Sequence, residues 1–313
     1  MKEFLIGAND ADQRLDKFIR KVTVDLPSAL LYKALRKNGV KVNGKRREGA
    51  YRLQEGDQVK LWLPDEFFTA DPASFLTLTA FPQVVFEDAQ LLVVHKPVGL
   101  SCHSDSAQQT GTLIDRILAY LYQKGEYDPA QEQSFAPALC NRIDRNTAGL
   151  VICAKTAVAL REMNLAIRDR LPEKEYLALV WGKVSAQHGR LQHYLKKDSD
   201  TNTVQVFDRP HPGALTALSE YWVQAYHPRE PVTRLRIRLH TGRTHQIRAQ
   251  FAHVGHPLVG DGKYGRTGGK KQLGFAYQAL LSYALTLHFP PQSPLAYLDG
   301  VHLEAQIPPE FSF

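Results

Sequence analysis

Sulfur is scarce in this 313-residue chain, which has three cysteines and two methionines. Cys102, Cys140 and Cys153 are odd in number, and no two stand in CxxC spacing. This excludes a disulfide framework and a cysteine-built zinc site, and it points to a reducing compartment. Long apolar runs are missing too. The start, MKEFLIGANDADQR, turns polar within a few residues and carries no signal core. No stretch approaches the roughly 20 apolar residues of a membrane span, so a soluble, cytoplasmic protein is expected, with no membrane partner. The chain also lacks a GxSxG elbow, a phosphate-cradling GKS/T loop and a dinucleotide fingerprint. These absences argue against a common hydrolase, an NTPase and a dehydrogenase.

What the chain does have is positive charge, unevenly placed. Lys and Arg number 39 against 32 Asp and Glu. Residues 1–64 hold 14 of the basic and 8 of the acidic groups, so the remainder is nearly neutral. A small basic module reads either as a nucleic-acid binder or as a domain kept soluble by charge. Its length and its 43% apolar residues suit about two domains.

In the first module, Leu15, Phe18, Ile19 and Val22 repeat at helical spacing, which predicts a helix over residues 12–24. Pro27-Ser28 signals a second helix, ending near Asn38-Gly39. VKVNGK reads as a hairpin turning at Asn43-Gly44, and Val59, Leu61 and Leu63 alternate along a strand. Lys33, Arg36, Lys37, Lys41, Lys45, Arg46 and Arg47 then gather at the helix end and hairpin, where phosphates could be held. Residues 65–80 read as a linker, and the second domain spans 81–313. Its strands are LLVVHKPVGL, GLVICAK, EYLALVWG, LSEYWVQAY and TRLRIRLH. Its helices are TLIDRILAYL, TAVALREMNLAIRDR and GRTHQIRAQFAHVG. Most links are too short for helical crossovers. The expected class is therefore α+β: a mixed, largely antiparallel sheet with flanking helices, preceded by a small αβ domain.

Two segments concentrate chemistry. NRIDRNTAGL places Asp144 between Arg142 and Arg145 at the mouth of a buried strand. A carboxylate among guanidinium groups is kept ionised and aimed, as a nucleophile or base must be. An exposed ion pair in a surface turn is the plain alternative. TRLRIRLHTGRTHQIRAQFAHVG puts Arg234, Arg236, Arg238 and His240 on one strand face, either a solvated outer face or a binding surface. It continues into a helix start with Arg243 and Arg248 nearby, suited to a phosphate or a catalytic carboxylate. Tyr176 and Lys174 share a strand face, where Tyr176 is either a stacking surface for a base or a core tyrosine. His240, His245, His253 and His256 have no cysteine or carboxylate to complete a metal site, so no metal is expected. DSDTNTVQVFDR, from Asp198, fails as a calcium loop because Thr203 stands where Gly is needed and Arg209 where Glu is needed.

Several stretches agree on a family. NRIDRNTAGLVICAK resembles the HRLDxxTSGLLLxAK motif of the RluA-type pseudouridine synthases. KEYLALVWG resembles their Lys-x-Tyr strand, and TGRTHQIRAQFAHVGHPLVGDGKYG resembles their C-terminal motif. VVHKPVGLSCH looks like their NKPxGxxVH motif. Asn141 and Ala148 depart from the commonest pattern, which has His and Ser. Residues 12–64 resemble the alpha-L RNA-binding domain that many members carry. The resemblance implies the pseudouridine synthase fold, an RNA substrate, no cofactor and a monomer. It implies Asp144 as catalytic carboxylate and Arg248 as its partner. It also implies that Tyr176 stacks on a flipped uridine and that Arg142 enters the RNA stack. Two rivals stand beside it: a non-catalytic RNA-binding or ribosome-assembly protein of this fold, and the same chemistry on transfer RNA. The basic module favours large-subunit ribosomal RNA.

Overall fold

The computed structural model describes residues 1–68, 74–104, 110–198, 200–265 and 273–313. The basic module holds β1 (Lys2–Leu5), α1 (Leu15–Val22), α2 (Ser28–Arg36), β2 (Val40–Val42) and β3 (Gln58–Leu61). The strands form an antiparallel sheet in the order β1-β3-β2. Leu15, Phe18 and Ile19 of α1 and Leu31 and Leu35 of α2 bury against Val40, Val42, Val59 and Leu61. Asn43 (φ 52°) and Gly44 (φ 74°) are both left-handed, as a tight two-residue hairpin turn requires. Helix α1 is shorter than the 12–24 expected, because Asp12 takes φ 62° and Thr23 is extended. In the stretch read from the sequence as a linker, Asp65–Phe68 and Ser74–Thr77 form single 3-10 turns, with Phe67 and Phe68 packed on the small module's core and Phe75 on the larger one's; residues 69–73 lie outside the described residues.

The remaining elements are β4 (Gln83–Glu87), β5 (Leu91–Lys96), α3 (Leu113–Gln123), β6 (Ala138–Leu139), β7 (Ala148–Ala154), α4 (Ala157–Arg168) and β8 (Glu173–Trp181). They continue with β9 (His188–Asp198), β10 (Thr203–Phe207), β11 (Leu215–Tyr226), β12 (Val232–Leu239), α5 (Gln246–His253), β13 (Leu280–Thr286) and β14 (His302–Glu304). One sheet runs β10-β9-β11-β12-β8-β13-β7-β5-β4, with β14 beside β13 and β6 beside β7. Among the described residues its pairings are antiparallel except β13 with β7, so the sheet is mixed and largely antiparallel. Thr112 and Thr156 cap α3 and α4.

Alternating side chains divide the sheet into two faces. Leu150, Ile152, Leu177, Leu179 and Leu281 pack with Met163 of α4. On the other face, Val151 and Cys153 meet Ile117 and Leu121 of α3. On that face too, Tyr176, Ala178, Leu235 and Ile237 meet Ile247 and Phe251 of α5. Asn9, Asp10 and Gln13 are among the polar side chains that join the small module to the large one, Asp10 accepting from Ser134 Oγ. Asn9 Oδ1 accepts from the Ala157 amide (3.1 Å) and its Nδ2 donates to Glu132 (3.1 Å). Gln13 Nε2 donates to Ser134 Oγ at 2.9 Å.

One expected helix needs correction. GRTHQIRAQFAHVG is helical only from Gln246, because residues 241–245 form a turn. Gln246 Oε1 accepts from Thr241 Oγ1 (2.8 Å) and from the Arg243 amide (3.0 Å), which folds that turn back on the helix. The DSDTNT segment lies at the β9–β10 turn, where Asp198 Oδ1 accepts from the Asp200 and Thr201 amides. The arginine strand resolves as an outer face. Arg236 and Arg238 ion-pair with Glu175, Arg236 also covers the Trp222 ring at 4.5 Å, and His240 pairs with Glu220.

β13 enters the middle of the sheet, with Ser282 opposite Gly149. A Cβ on Gly149, at φ 119°, would sit 2.1 Å from the Ser282 carbonyl oxygen. Neither backbone can yield, so Gly149→Ala is expected to cost about 3 kcal/mol and lower the melting temperature by several degrees. Thermal unfolding by circular dichroism checks this; an unchanged midpoint would refute the close approach.

Candidate active site

The loop of residues 141–147 leads into β7 and is tied at several points. Asn141 Oδ1 accepts from the Ile152 amide at 2.8 Å, so the departure from His leaves the loop anchored. The Thr147 amide donates to the Asp144 carbonyl at 3.0 Å. Lys96 is fully buried, and its ammonium donates to the carbonyls of Pro97 (2.9 Å), Leu100 (2.8 Å) and Arg145 (2.9 Å). Burial pulls its pKa down to about 8, against the favourable charges of Cys102 and Asp144. Arg145 turns away from Asp144 and donates to the Gly99 carbonyl at 3.0 Å. The loop and the HKPVGL turn are thereby held together.

Asp144 meets its partner across 104 residues of chain. Arg248 Nη1 donates to Asp144 Oδ2 at 2.7 Å. The guanidinium's other edge forks onto Asp261 at 2.7 and 2.9 Å. The Asp261 side chain is 0% exposed and that of Arg248 8%, whereas Asp144 is 28% exposed. Burial alone would raise the Asp261 pKa, but Arg248 and the amides of Lys263 and Tyr264 bring it below the ordinary value. Burial likewise works against the Arg248 charge, and Asp261 and then Asp144 outweigh it, so the guanidinium stays protonated. A buried pair therefore fixes Arg248, and Arg248 presents one N–H to a carboxylate that still reaches solvent.

That carboxylate opens on a cavity of about 430 Å³, whose walls include Tyr176, Ile143, Ile247 and Leu280. Tyr176 is buried; burial and the Asp144 charge push its pKa up to about 12, so it stays a neutral phenol. A flat ring, apolar walls and one accessible carboxylate can hold an extruded planar base.

The other expected residues distribute as follows. Arg142 lines the cavity and is exposed, with no hydrogen bond or ion pair among the described residues. Arg243 also lines it, while its Nε donates to the Thr216 carbonyl at 3.0 Å. Lys174 is half-buried two residues before Tyr176 and is not part of the lining. Lys33, Arg36, Lys37, Lys45, Arg46 and Arg47 are exposed on the small module, and half-buried Lys41 lies 5.6 Å from the exposed Trp62 ring. Asp261, Lys96 and Tyr264 complete the site and were not singled out from the sequence, and His245 was weighed there only as a metal ligand; all four lie in stretches that carry the family resemblance.

The four histidines weighed as ligands disperse to separate partners. A different group, His193, Asp208 and His253, brings three ligand atoms within 4.8 Å. Gln250 Nε2 faces His193 Nδ1 at 3.2 Å, and Ser219 donating to Gln250 Oε1 fixes that amide's orientation. Nδ1 is thus the acceptor and Nε2 carries the hydrogen, which suits a donor to Asp208 better than a metal ligand.

Comparison with known proteins agrees with this geometry. Residues 90–253 match the family described as RNA pseudouridylate synthase, and residues 13–59 match the S4 domain. An uncharacterized RNA pseudouridine synthase of Aquifex aeolicus is 31% identical over 81% of this chain and 77% of its own. Ribosomal large subunit pseudouridine synthase C of Escherichia coli is 31% identical over 92% of this chain and 88% of its own. The solved structure of human RNA pseudouridylate synthase domain containing 1 shares the fold. Its TM-score is 0.58 at 20% identity, over 78% of this chain and 89% of that one. The sheet, the matched segments and the relatives converge: the chain belongs to the RluA-type RNA pseudouridine synthases, isomerases of RNA, and carries an N-terminal S4 RNA-binding domain.

Proposed function

We propose that this synthase acts on large-subunit ribosomal RNA, with Asp144 as its catalytic carboxylate. The carrying observation is the 2.7 Å bond from Arg248 to Asp144 at the mouth of the cavity that Tyr176 lines. The reaction breaks the bond from uracil N1 to C1′, turns the ring and joins C5 to C1′, with the C5 hydrogen leaving as a proton and the freed N1 taking one up. It needs no electron transfer and no phosphate energy. Extruding the uridine costs a few kcal/mol of stacking. Arg142, exposed at the rim, fills the gap in the stack, and Tyr176 receives the base. Arg248 aims the carboxylate at the reacting carbons, in a pocket where charge–charge forces are stronger than in water.

We divide the chain into residues 1–64 for RNA capture, 65–80 as connector and 81–313 for catalysis. The exposed basic residues of the first part give a large structured RNA a second, salt-sensitive grip. The ribosomal name of the Escherichia coli relative supports the same substrate class.

Pseudouridine mapping of total RNA from cells with and without the gene tests the assignment. The expected result is the loss of discrete positions in large-subunit ribosomal RNA. Loss confined to transfer RNA would overturn the ribosomal reading. Cells carrying only residues 65–313 should show reduced modification at the same positions, and undiminished modification would refute the role of the first module.

A further inference from the structure

His245 occupies an unusual place. It precedes the first residue of α5 in the left-handed conformation (φ 50°, ψ 23°). That conformation is uncommon outside glycine, and histidine is among the side chains that adopt it where the surroundings favour it. Its ring is buried to 10% exposure and faces the cavity beside Asp144. Nδ1 lies 2.9 Å from the Tyr264 hydroxyl. Burial pushes the Tyr264 phenol up to about 12, so it keeps its hydrogen, and His245 Nδ1 is an acceptor within its reach. With the Tyr264 hydroxyl donating to Nδ1, the neutral ring carries its hydrogen on Nε2. Burial, followed by the nearby charges of Arg248 and Lys263, disfavours a second proton, against the opposing pull of Asp144 and Asp261.

The Nε2–H is left pointing at a gap. Nε2 and Asp144 Oδ2 are 3.9 Å apart, too far for a hydrogen bond. One oxygen can bond to both at about 2.8 Å, a common O–H···O and N–H···O length, with an angle near 90° at that oxygen. To do so it must accept from Nε2–H and donate to the carboxylate. A carbonyl oxygen of uracil cannot donate, and a phosphate oxygen would add charge against charge. A hydroxyl can do both. An internal RNA nucleotide, whose 3′ and 5′ oxygens are esterified, has one hydroxyl, the 2′-OH. That hydroxyl is on C2′, next to the C1′ whose bond must break.

We propose that His245 donates its Nε2–H to the 2′-oxygen of the extruded uridine, while the 2′-OH donates to Asp144. His245 is then the group through which the site reads ribose, and Tyr264 is the positioning residue that holds its tautomer. This inference rests on the placement of Asp144 as the catalytic carboxylate. It makes the enzyme selective for RNA at the target sugar itself, in addition to any selectivity for RNA shape elsewhere.

The test uses the full-length protein and two synthetic RNA stem–loops spanning a uridine mapped as above. One has uridine at that position and the other 2′-deoxyuridine. The wild type should prefer the ribose substrate in kcat/KM on the order of tenfold or more, the usual effect of stranding a buried polar partner. In His245→Asn, a residue that tolerates the left-handed backbone, the preference should fall at least about threefold, the remainder being the 2′-OH bond to Asp144. Tyr264→Phe should weaken the preference partway. A purely structural role for His245 would slow both substrates alike, so the same ratio in wild type and His245→Asn, whatever its size, overturns the proposal. The ratio compares two sugars on one protein, so a destabilised variant still gives a reading. The catalytic assignment is tested separately, because an active Asp144→Asn enzyme would overturn that assignment by itself.

Discussion

Asp144→Asn yields a folded protein that binds its RNA and forms no measurable pseudouridine. The amide keeps an oxygen for Arg248 Nη1 and so preserves the loop geometry, but it has no negative charge and no basic lone pair of useful strength. Loss of a group at the reacting atoms typically costs at least about 10⁴-fold in rate. Stability should move by no more than about 1 kcal/mol, because Arg248 keeps its buried counter-charge on Asp261. Release of tritium from RNA labelled at uridine C5 measures turnover, and a gel-shift titration measures binding. Turnover within tenfold of wild type would remove Asp144 from the mechanism.

Arg248→Ala should damage the protein twice. It strands Asp261, whose side chain is 0% exposed, with no other cation bonded to it among the described residues. Breaking a buried pair from one side costs about 3–5 kcal/mol, which lowers the melting temperature by roughly 10 °C in a chain of this size. It also releases Asp144, so kcat should fall with little change in KM. Arg248→Lys separates the two effects. It restores a positive charge near Asp261 but cannot fork onto both carboxylates, so stability should recover in part while kcat stays low. The pair also has a pH signature. The Asp261 pKa is below the ordinary carboxylate value, so its contribution is complete above about pH 4 and is lost as the pH falls through the lowered value. An Arg248→Ala protein that melts like wild type, or one whose defect is confined to KM, would refute this account.

Legibility from the sequence varied by residue, for physical reasons. Asp144 stood out because two arginines flank it, although the local pairing that this suggested is not the one formed. Arg145 went to a backbone carbonyl and the real partner came from α5. No local pattern encodes a contact over 104 residues, and only family resemblance supplied it. The helices α2, α3 and α4 and the strands β5, β7, β8 and β12 were readable because period and burial agree in them. β13, LLSYALT, has both faces buried, so it lacks the alternation that marks a half-exposed strand. β9 was hidden by its many polar residues, which face solvent in a long twisted hairpin. The helix start at Gln246 was placed too early because a side-chain amide, not a glycine or proline, sets the boundary. His245 carried no local sign of its left-handed backbone.

The position of β13 bears on when the enzyme becomes competent. The Asp144 loop belongs to the β7 side of the sheet, while Tyr176 and Arg248 belong to the β8 side. β13, residues 280–286, is the strand that joins them. A ribosome making this chain releases the elements of both halves before it releases their connection. The N-terminal S4 domain emerges first and can fold on its own contacts, so the nascent protein can hold RNA before it can modify it. Only once residue 286 has cleared the exit tunnel can the carboxylate, the phenol and the guanidinium be brought into one cavity.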